Sequence, residues 1–200
     1  MPSRFRVRGL FKGVVLIIAK PLAKIGVSPD TVTYISLLFA FFAFLSLPLT
    51  HSTIVYGILV FIAGLLDGVD GSVARLTNSS SPSGGLIDSV IDKVAEMLIL
   101  IAIALEYYAS SIFGLAVSVW VLLAVFGWLM TSYTRARAQS LGVSDLDIGL
   151  GGRSERLLTL VIFSLFGLVL WGLFVVTLMG LGTAAYRLHH YQQELKSKIS

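Results

Sequence analysis

Long apolar stretches alternate with short polar ones along almost the whole chain. Continuous apolar segments cover 31–49, 52–75, 84–105 and 111–135, and a charge-free stretch lies between Arg156 and Arg187. A helix needs about 20 apolar residues to cross roughly 30 Å of hydrocarbon, so each of the first four segments reads as a membrane span. The last stretch is too long for one comfortable span and short for two. Read as a hairpin turning near 167–171, it gives spans over 154–168 and 170–192. The predicted fold class is all-α and integral to the membrane, with six transmembrane helices in one domain, 1–200.

Residues 5–25 follow a different pattern. At 100° per residue, Arg8, Lys12, Lys20 and Lys24 share one arc, and Leu10, Val14, Ile17 and Ile18 lie largely elsewhere. That suits an amphipathic helix lying along an anionic leaflet, kinked or ended by Pro21. Next comes "SPDTVT". It offers Ser28 as N-cap, Pro29 at the first helical position and Asp30 in the first turn of span one.

Charge then orients the spans. With the N-terminus inside, the outer loops "PLTHST" and "EYYASS" hold only Glu106, and every lysine and arginine falls on the inner side. This is the positive-inside pattern. It predicts a protein of the cytoplasmic membrane with both termini and the inner loops in the cytoplasm. The basic residues follow the membrane, so no nucleic-acid partner is expected. Composition agrees: 56% hydrophobic and 13% charged residues do not make a soluble domain. The absence of cysteine excludes disulfides and thiolate chemistry.

Against this background the acids stand out. Asp67, Asp70, Asp88, Asp92 and Glu96 are five of the chain's eleven acidic residues. Asp67 and Asp70 share a face near the inner end of span two, and Asp88 and Asp92 lie one turn apart near the start of span three. A rise of about 1.5 Å per residue puts Asp67 roughly 22 Å from the outer boundary, below the inner surface. The polar connection "TNSSSPSGG" makes the two spans antiparallel neighbours, so the pairs face each other. Ionised carboxylates there cost about 2.5–3.5 kcal/mol each and repel one another strongly in a low dielectric. Protonation or cations relieve them. Four oxygen donors without histidine or cysteine suit Mg2+, Mn2+ or Ca2+, and two facing pairs can hold two ions that clamp a phosphate.

Other readings of the acids are an ion or proton pathway, and a structural ion-pair cluster with Arg75 and Lys93. A non-catalytic scaffold is a third. Gly68 and Gly71 beside the first pair, and Gly84 and Gly85 before the second, favour a bulky phosphate-bearing ligand. They remove side chains where it would approach.

These residues resemble a known signature. Asp67-x-x-Asp70-Gly71-x-x-Ala74-Arg75, eight residues, then Gly84-x-x-x-Asp88-x-x-x-Asp92 is similar to the motif of the CDP-alcohol phosphotransferases. Eight specified positions over 26 residues carry the likeness. The resemblance implies a membrane-embedded catalytic domain, its active site facing the cytoplasm. Such an enzyme transfers a substituted phosphate from a CDP-linked lipid (CDP-diacylglycerol or CDP-archaeol) to an alcohol and releases CMP. It implies that Asp67, Asp70, Asp88 and Asp92 bind two Mg2+ or Mn2+ ions. Asp92 would also deprotonate the acceptor hydroxyl, which attacks the β-phosphorus. Gly71, Ala74, Arg75 and Gly84 would line the CDP-lipid site, together with Pro29 and Thr33 of "SPDTVT". That element resembles the family's Pro-Asn-x-x-Thr, with Asp30 in place of asparagine. The family likeness also implies a homodimer.

The acceptor is read from arginines. "SYTRARAQSLG" and "GLGGRSERLL" put Arg135, Arg137, Arg153 and Arg156 on the inner side, and guanidinium forks suit a phosphate monoester. The segments resemble the branch making phosphatidylinositol phosphate or its archaeal ether-lipid counterpart. That points to myo-inositol 1-phosphate as acceptor, with glycerol 3-phosphate as the alternative. Arg135 and Arg153 are the expected acceptor-phosphate ligands, followed by Arg137, Arg156 and Arg187. Glu96 is outside the motif and is read as a polar contact within the bundle.

Overall fold

A computed structural model describes residues 9, 11–146, 148–149 and 151–197. Residues 5–8 and Leu10 of the expected interfacial helix lie outside these, as does Lys198. Seven helices are described: α1 (Lys12–Lys24), α2 (Pro29–Thr50), α3 (Thr53–Leu76), α4 (Pro82–Glu106), α5 (Val117–Ser140), α6 (Arg153–Leu165) and α7 (Val169–Ser197). Of these, α2, α3, α5 and α7 are long and apolar enough to cross a membrane. α4 has comparable length but carries the acids, and α6 is 13 residues long.

Serine hydroxyls start three of the helices. Ser28, Ser52 and Ser81 each accept a bond from the backbone N–H three residues on, at 3.2, 3.3 and 3.0 Å, satisfying a donor that the helix cannot. α2 and α4 also begin with proline, where the missing N–H costs nothing. At the C-terminus of α2 the left-handed His51 turns the chain directly into α3. Gly167, at φ 74°, makes the corresponding break between α6 and α7.

The helices form a closed circuit. α2 packs on α3 and α4, α4 on α5, α5 on α7, α7 on α6, and α6 on α3. α1 lies outside against α3, where Ala19 joins Val32, Val69 and Val73 in a small apolar cluster. Lys12, Lys20 and Lys24 stay exposed. α1 runs through Pro21 and closes after Lys24, where Gly26 at φ 79° lets Val27 N–H reach Leu22 O at 3.0 Å. The main core runs from Ala95, Trp128 and Leu157 beside the acids to Leu47, Tyr56, Val60, Ile99, Ile103, Trp120 and Leu173.

The crossing of α5 and α7 is built on small residues. At α5–α7, a Cβ on Gly127 would lie 2.8 Å from Leu181 N, and one on Gly180 would lie 2.7 Å from Trp128. This close approach lets Trp128 Nε1–H donate to Val176 O at 3.2 Å and Thr131 Oγ1–H to Gly180 O at 3.1 Å. Small residues that bring backbones together, with polar side chains bonding across them, are a membrane-helix device.

Three expectations change. α3 and α4 are not closely packed neighbours despite their short connection, because α2 wedges between them; only side chains cross the gap. The segment 111–135 does not begin as helix. Ser111–Ile112 and Leu115–Ala116 form a small antiparallel hairpin whose turn, Phe113 and Gly114, has φ of 51° and 76°, and α5 follows it. Finally, Gly68 opens no space for a ligand, since its missing Cβ accommodates Val15 of α1 at 3.4 Å.

Candidate metal and phosphate site

The gap between the C-terminal end of α3 and the N-terminal end of α4 is where the acids converge. Asp67 and Asp70 enter it from α3 and Asp88 and Asp92 from α4. One carboxylate oxygen each from Asp67, Asp70 and Asp88 lie within 4.8 Å of one another. Two oxygens on a common divalent cation are at most about 4–5 Å apart, twice a metal–oxygen distance of about 2.1–2.5 Å. This donor set therefore fits a hard divalent cation. Asp92 stands outside the trio but interacts electrostatically with Asp67 and Asp88.

Asp70 is held from two sides. It is 5% exposed, accepts Thr33 Oγ1–H at 2.7 Å and accepts the Gly71 backbone N–H. Thr33 occupies the second turn of α2, so the helix wedged between α3 and α4 also orients a carboxylate. The residues expected around the CDP-lipid collect at this end. Pro29 and Thr33 start α2, and Gly71, Ala74 and Arg75 end α3. Gly84 starts α4 so close to α2 that a Cβ there would lie 3.4 Å from Asp30 Oδ1. Arg75 folds back along α3, its Nη1 3.5 Å from where a Gly71 Cβ would be and its Nη2 donating to Ser72 Oγ at 3.0 Å.

Among the described residues, the cation paired with Asp67 and Asp92 is Arg153 rather than Arg75 or Lys93. Arg153, the first residue of α6, extends into the gap. Its Nη1 pairs with Asp67 and, at 2.8 Å, with Asp92 Oδ1, and its Nε lies 3.2 Å from Glu96 Oε1. Lys93 Nζ pairs instead with Glu96 Oε2 at 2.8 Å. Arg153 is delivered by the loop 141–152, held down on α7. Gly151 N–H donates to Thr183 Oγ1 at 3.0 Å, Tyr191 Oη–H to Leu146 O at 2.9 Å, and Glu194 Oε1 accepts Ser144 N–H at 3.0 Å. A Cβ at Gly151 would lie 2.6 Å from Met179 O; this glycine lets the loop backbone rest on α7.

The other arginines separate into two groups. Arg135 and Arg137 are exposed on the last turns of α5. Arg156 and Arg187 are buried, at 1% and 5% exposure, and their guanidinium groups are committed inside the protein. Arg156 lies 4.6 Å over the Trp128 ring and donates to Gly151 O at 3.0 Å. Arg187 donates to Ile148 O and Thr131 O at 3.0 and 2.8 Å. Expected as acceptor-phosphate ligands, these two also brace the loop that carries Arg153. Charge counting cannot separate them from Arg153, because all follow the same pattern of basic residues flanking apolar stretches.

Comparison with known proteins bears on this geometry. The family model described as CDP-alcohol phosphatidyltransferase matches residues 26–187, and so takes in every element of the site. An archaetidylinositol phosphate synthase of Pyrococcus horikoshii is 34% identical over 90% of this chain and 91% of its own. The phosphatidylinositol phosphate synthase of Mycobacterium tuberculosis, solved with CDP-DAG bound, superposes with a TM-score of 0.75. It is 21% identical and the match covers 89% of this chain and 93% of that one. The same enzyme in complex with manganese and citrate gives a TM-score of 0.74, at 21% identity over 89% and 88% of the two chains.

Proposed function

Since the chain belongs to the CDP-alcohol phosphatidyltransferase family and is an integral membrane transferase of phospholipid biosynthesis, we propose that its acceptor is an alcohol phosphate, foremost myo-inositol 1-phosphate. The carrying observation is the position of Arg153, a fork-shaped phosphate ligand set 2.8 Å from Asp92, the base implied by the motif. The names of the similar synthases point the same way, and they argue against an ion or proton pathway for the acids.

The roles follow from chemistry. Asp67, Asp70 and Asp88 would hold divalent cation, Mg2+ or Mn2+, with Asp92 completing a two-ion centre. When bound, such ions neutralise a diphosphate and stabilise its transfer. Thr33 keeps Asp70 oriented, as outer hydrogen bonds do for ligating carboxylates. Pro29, Gly71, Ala74, Arg75 and Gly84 border the cytidine diphosphate of a CDP-diacylglycerol or CDP-archaeol. Asp92 takes the proton of the acceptor hydroxyl. The hydroxyl oxygen bonds to the β-phosphorus, the bond from that phosphorus to the bridging oxygen breaks, and CMP departs with the electron pair. Arg153 binds the acceptor's own phosphate beside Asp92, with Arg135 and Arg137 at the exposed rim.

In this reading α2 to α7 are six spans in a cytoplasmic membrane. α1 is the interfacial helix, its exposed lysines toward anionic headgroups. Both termini and the site face the cytoplasm, and the working assembly is a homodimer.

The test is CMP release by purified protein supplied with CDP-lipid and Mg2+, comparing myo-inositol 1-phosphate, glycerol 3-phosphate, serine and no acceptor. The expected result is turnover with inositol phosphate, lost with EDTA and in Asp92→Asn. Turnover with serine, or with glycerol 3-phosphate in preference, would overturn the acceptor assignment.

A further inference from the structure

Glu96 lies outside the signature and has no part in the transfer just described, yet it is among the most enclosed polar groups of the molecule. Its side chain is 4% exposed. A carboxylate so enclosed is tolerated only with cations and hydrogen-bond donors around it; the structure supplies three cations, of which Lys93 donates a hydrogen bond and the two arginines are charge contacts. Lys93 Nζ lies 2.8 Å from Oε2, Arg153 Nε 3.2 Å from Oε1, and Arg156 Nη2 3.7 Å from Oε1.

The partners come from different elements. Lys93 is one turn back on α4, one residue after Asp92. Arg153 and Arg156 come from the start of α6, across the gap. A single carboxylate thus sets where α6 presents its guanidinium groups relative to α4. Arg156 is anchored on the far side by Trp128 and Gly151 O. Arg153 Nε faces Glu96 Oε1 as a charge contact outside hydrogen-bond geometry, and its Nη1 is directed at Asp67 and Asp92. Lys93 and Glu96 both border the crevice between α4 and α5, so Lys93 remains reachable at 23% exposure.

We propose that Glu96 is the positioning residue of the acceptor half of the site: one of its carboxylate oxygens faces Arg153 and the other Lys93, setting both as phosphate-binding cations. Glu96 touches neither substrate. It acts through Arg153 and Lys93, and the proposal rests on the alcohol-phosphate reading of the acceptor. A free side chain as long as arginine surrenders rotamer freedom on binding, and a carboxylate that holds it beforehand removes part of that cost.

The experiment is steady-state kinetics with CDP-lipid and Mg2+, varying myo-inositol 1-phosphate and CDP-lipid in turn. Glu96→Gln keeps the shape and removes the charge. Its acceptor KM is expected to rise about tenfold, the worth of one charge-assisted contact, with the CDP-lipid KM within about twofold of wild type. Glu96→Asp should recover part of the loss. In an Arg153→Lys background, adding Glu96→Gln should raise the acceptor KM by much less than it does alone, because the two act as a unit. Unchanged acceptor KM in Glu96→Gln would overturn the proposal, as would equal increases in both KM values. Should Glu96→Gln not fold, Lys93→Met decides: a severalfold rise confined to acceptor KM supports the proposal, and no change overturns it. Wild-type turnover with no alcohol phosphate at all is a separate failure. It would remove the acceptor reading whatever the Glu96 variants do.

Discussion

Arg153 Nη1 sits 2.8 Å from Asp92 Oδ1, joining the first residue of a short helix to the last aspartate of the signature. The same guanidinium also pairs with Asp67 and Glu96. One side chain therefore balances acids from both α3 and α4, and its removal leaves them repelling across a poorly solvated gap.

Arg153→Ala is expected to lower stability by about 3 kcal/mol in EDTA, as when a largely buried ion pair loses one partner. The rise in Tm on adding Mg2+ should exceed that of wild type, since added cation then does more of the neutralising. Thermal unfolding with and without Mg2+ reads both effects. A variant as stable as wild type in EDTA would contradict this.

Thr33 holds Asp70 from the neighbouring helix at 2.7 Å. Thr33→Val preserves the shape and removes the donor. The Mg2+ concentration for half-maximal CMP release should rise about tenfold, the usual scale for losing an outer hydrogen bond to a metal ligand. Thr33→Ser should behave nearly as wild type.

Gly151 lets the loop before Arg153 lie against Met179 O and Thr183. In Gly151→Ala the added methyl lifts that backbone and carries Arg153 with it. A displacement near 1 Å at a positioning group costs about a hundredfold in rate. Acceptor kcat/KM should fall steeply, and the CDP-lipid KM, which rests on α2, α3 and α4, should change little.

Gly127→Ala tests the bundle away from the chemistry. Its Cβ would meet the backbone of α7 at 2.8 and 3.0 Å, which a side-chain rotation cannot relieve. Overpacking of this kind costs about 1–3 kcal/mol, so Tm should drop. Ala at Gly182, where nothing lies within 4 Å, should leave Tm nearly unchanged.

Much of the site could be read from the chain because the motif is local. Asp67 with Asp70, and Asp88 with Asp92, are fixed by helical spacing alone, and the cost of charges beneath a membrane surface makes them conspicuous. What stayed hidden depends on contacts distant in sequence. Nothing in "RSER" distinguishes Arg153, which reaches Asp67 and Asp92, from Arg156, which turns to Trp128. The wedge of α2 between α3 and α4, and the contact of Gly68 with Val15, need the fold as well. The hairpin at 111–116 was missed for a local reason. Phe113 adopts a left-handed conformation at its turn, a place where asparagine, aspartate or glycine is the usual signal.

The central claim is transfer onto the hydroxyl of an alcohol phosphate. The most direct measurement follows myo-inositol 1-phosphate labelled with 32P through a reaction containing CDP-lipid and Mg2+, then separates lipid from water. The account predicts label in the lipid phase in step with CMP release, because the acceptor keeps its phosphate and reacts through its hydroxyl. CMP released while all label stays in the water phase would contradict it.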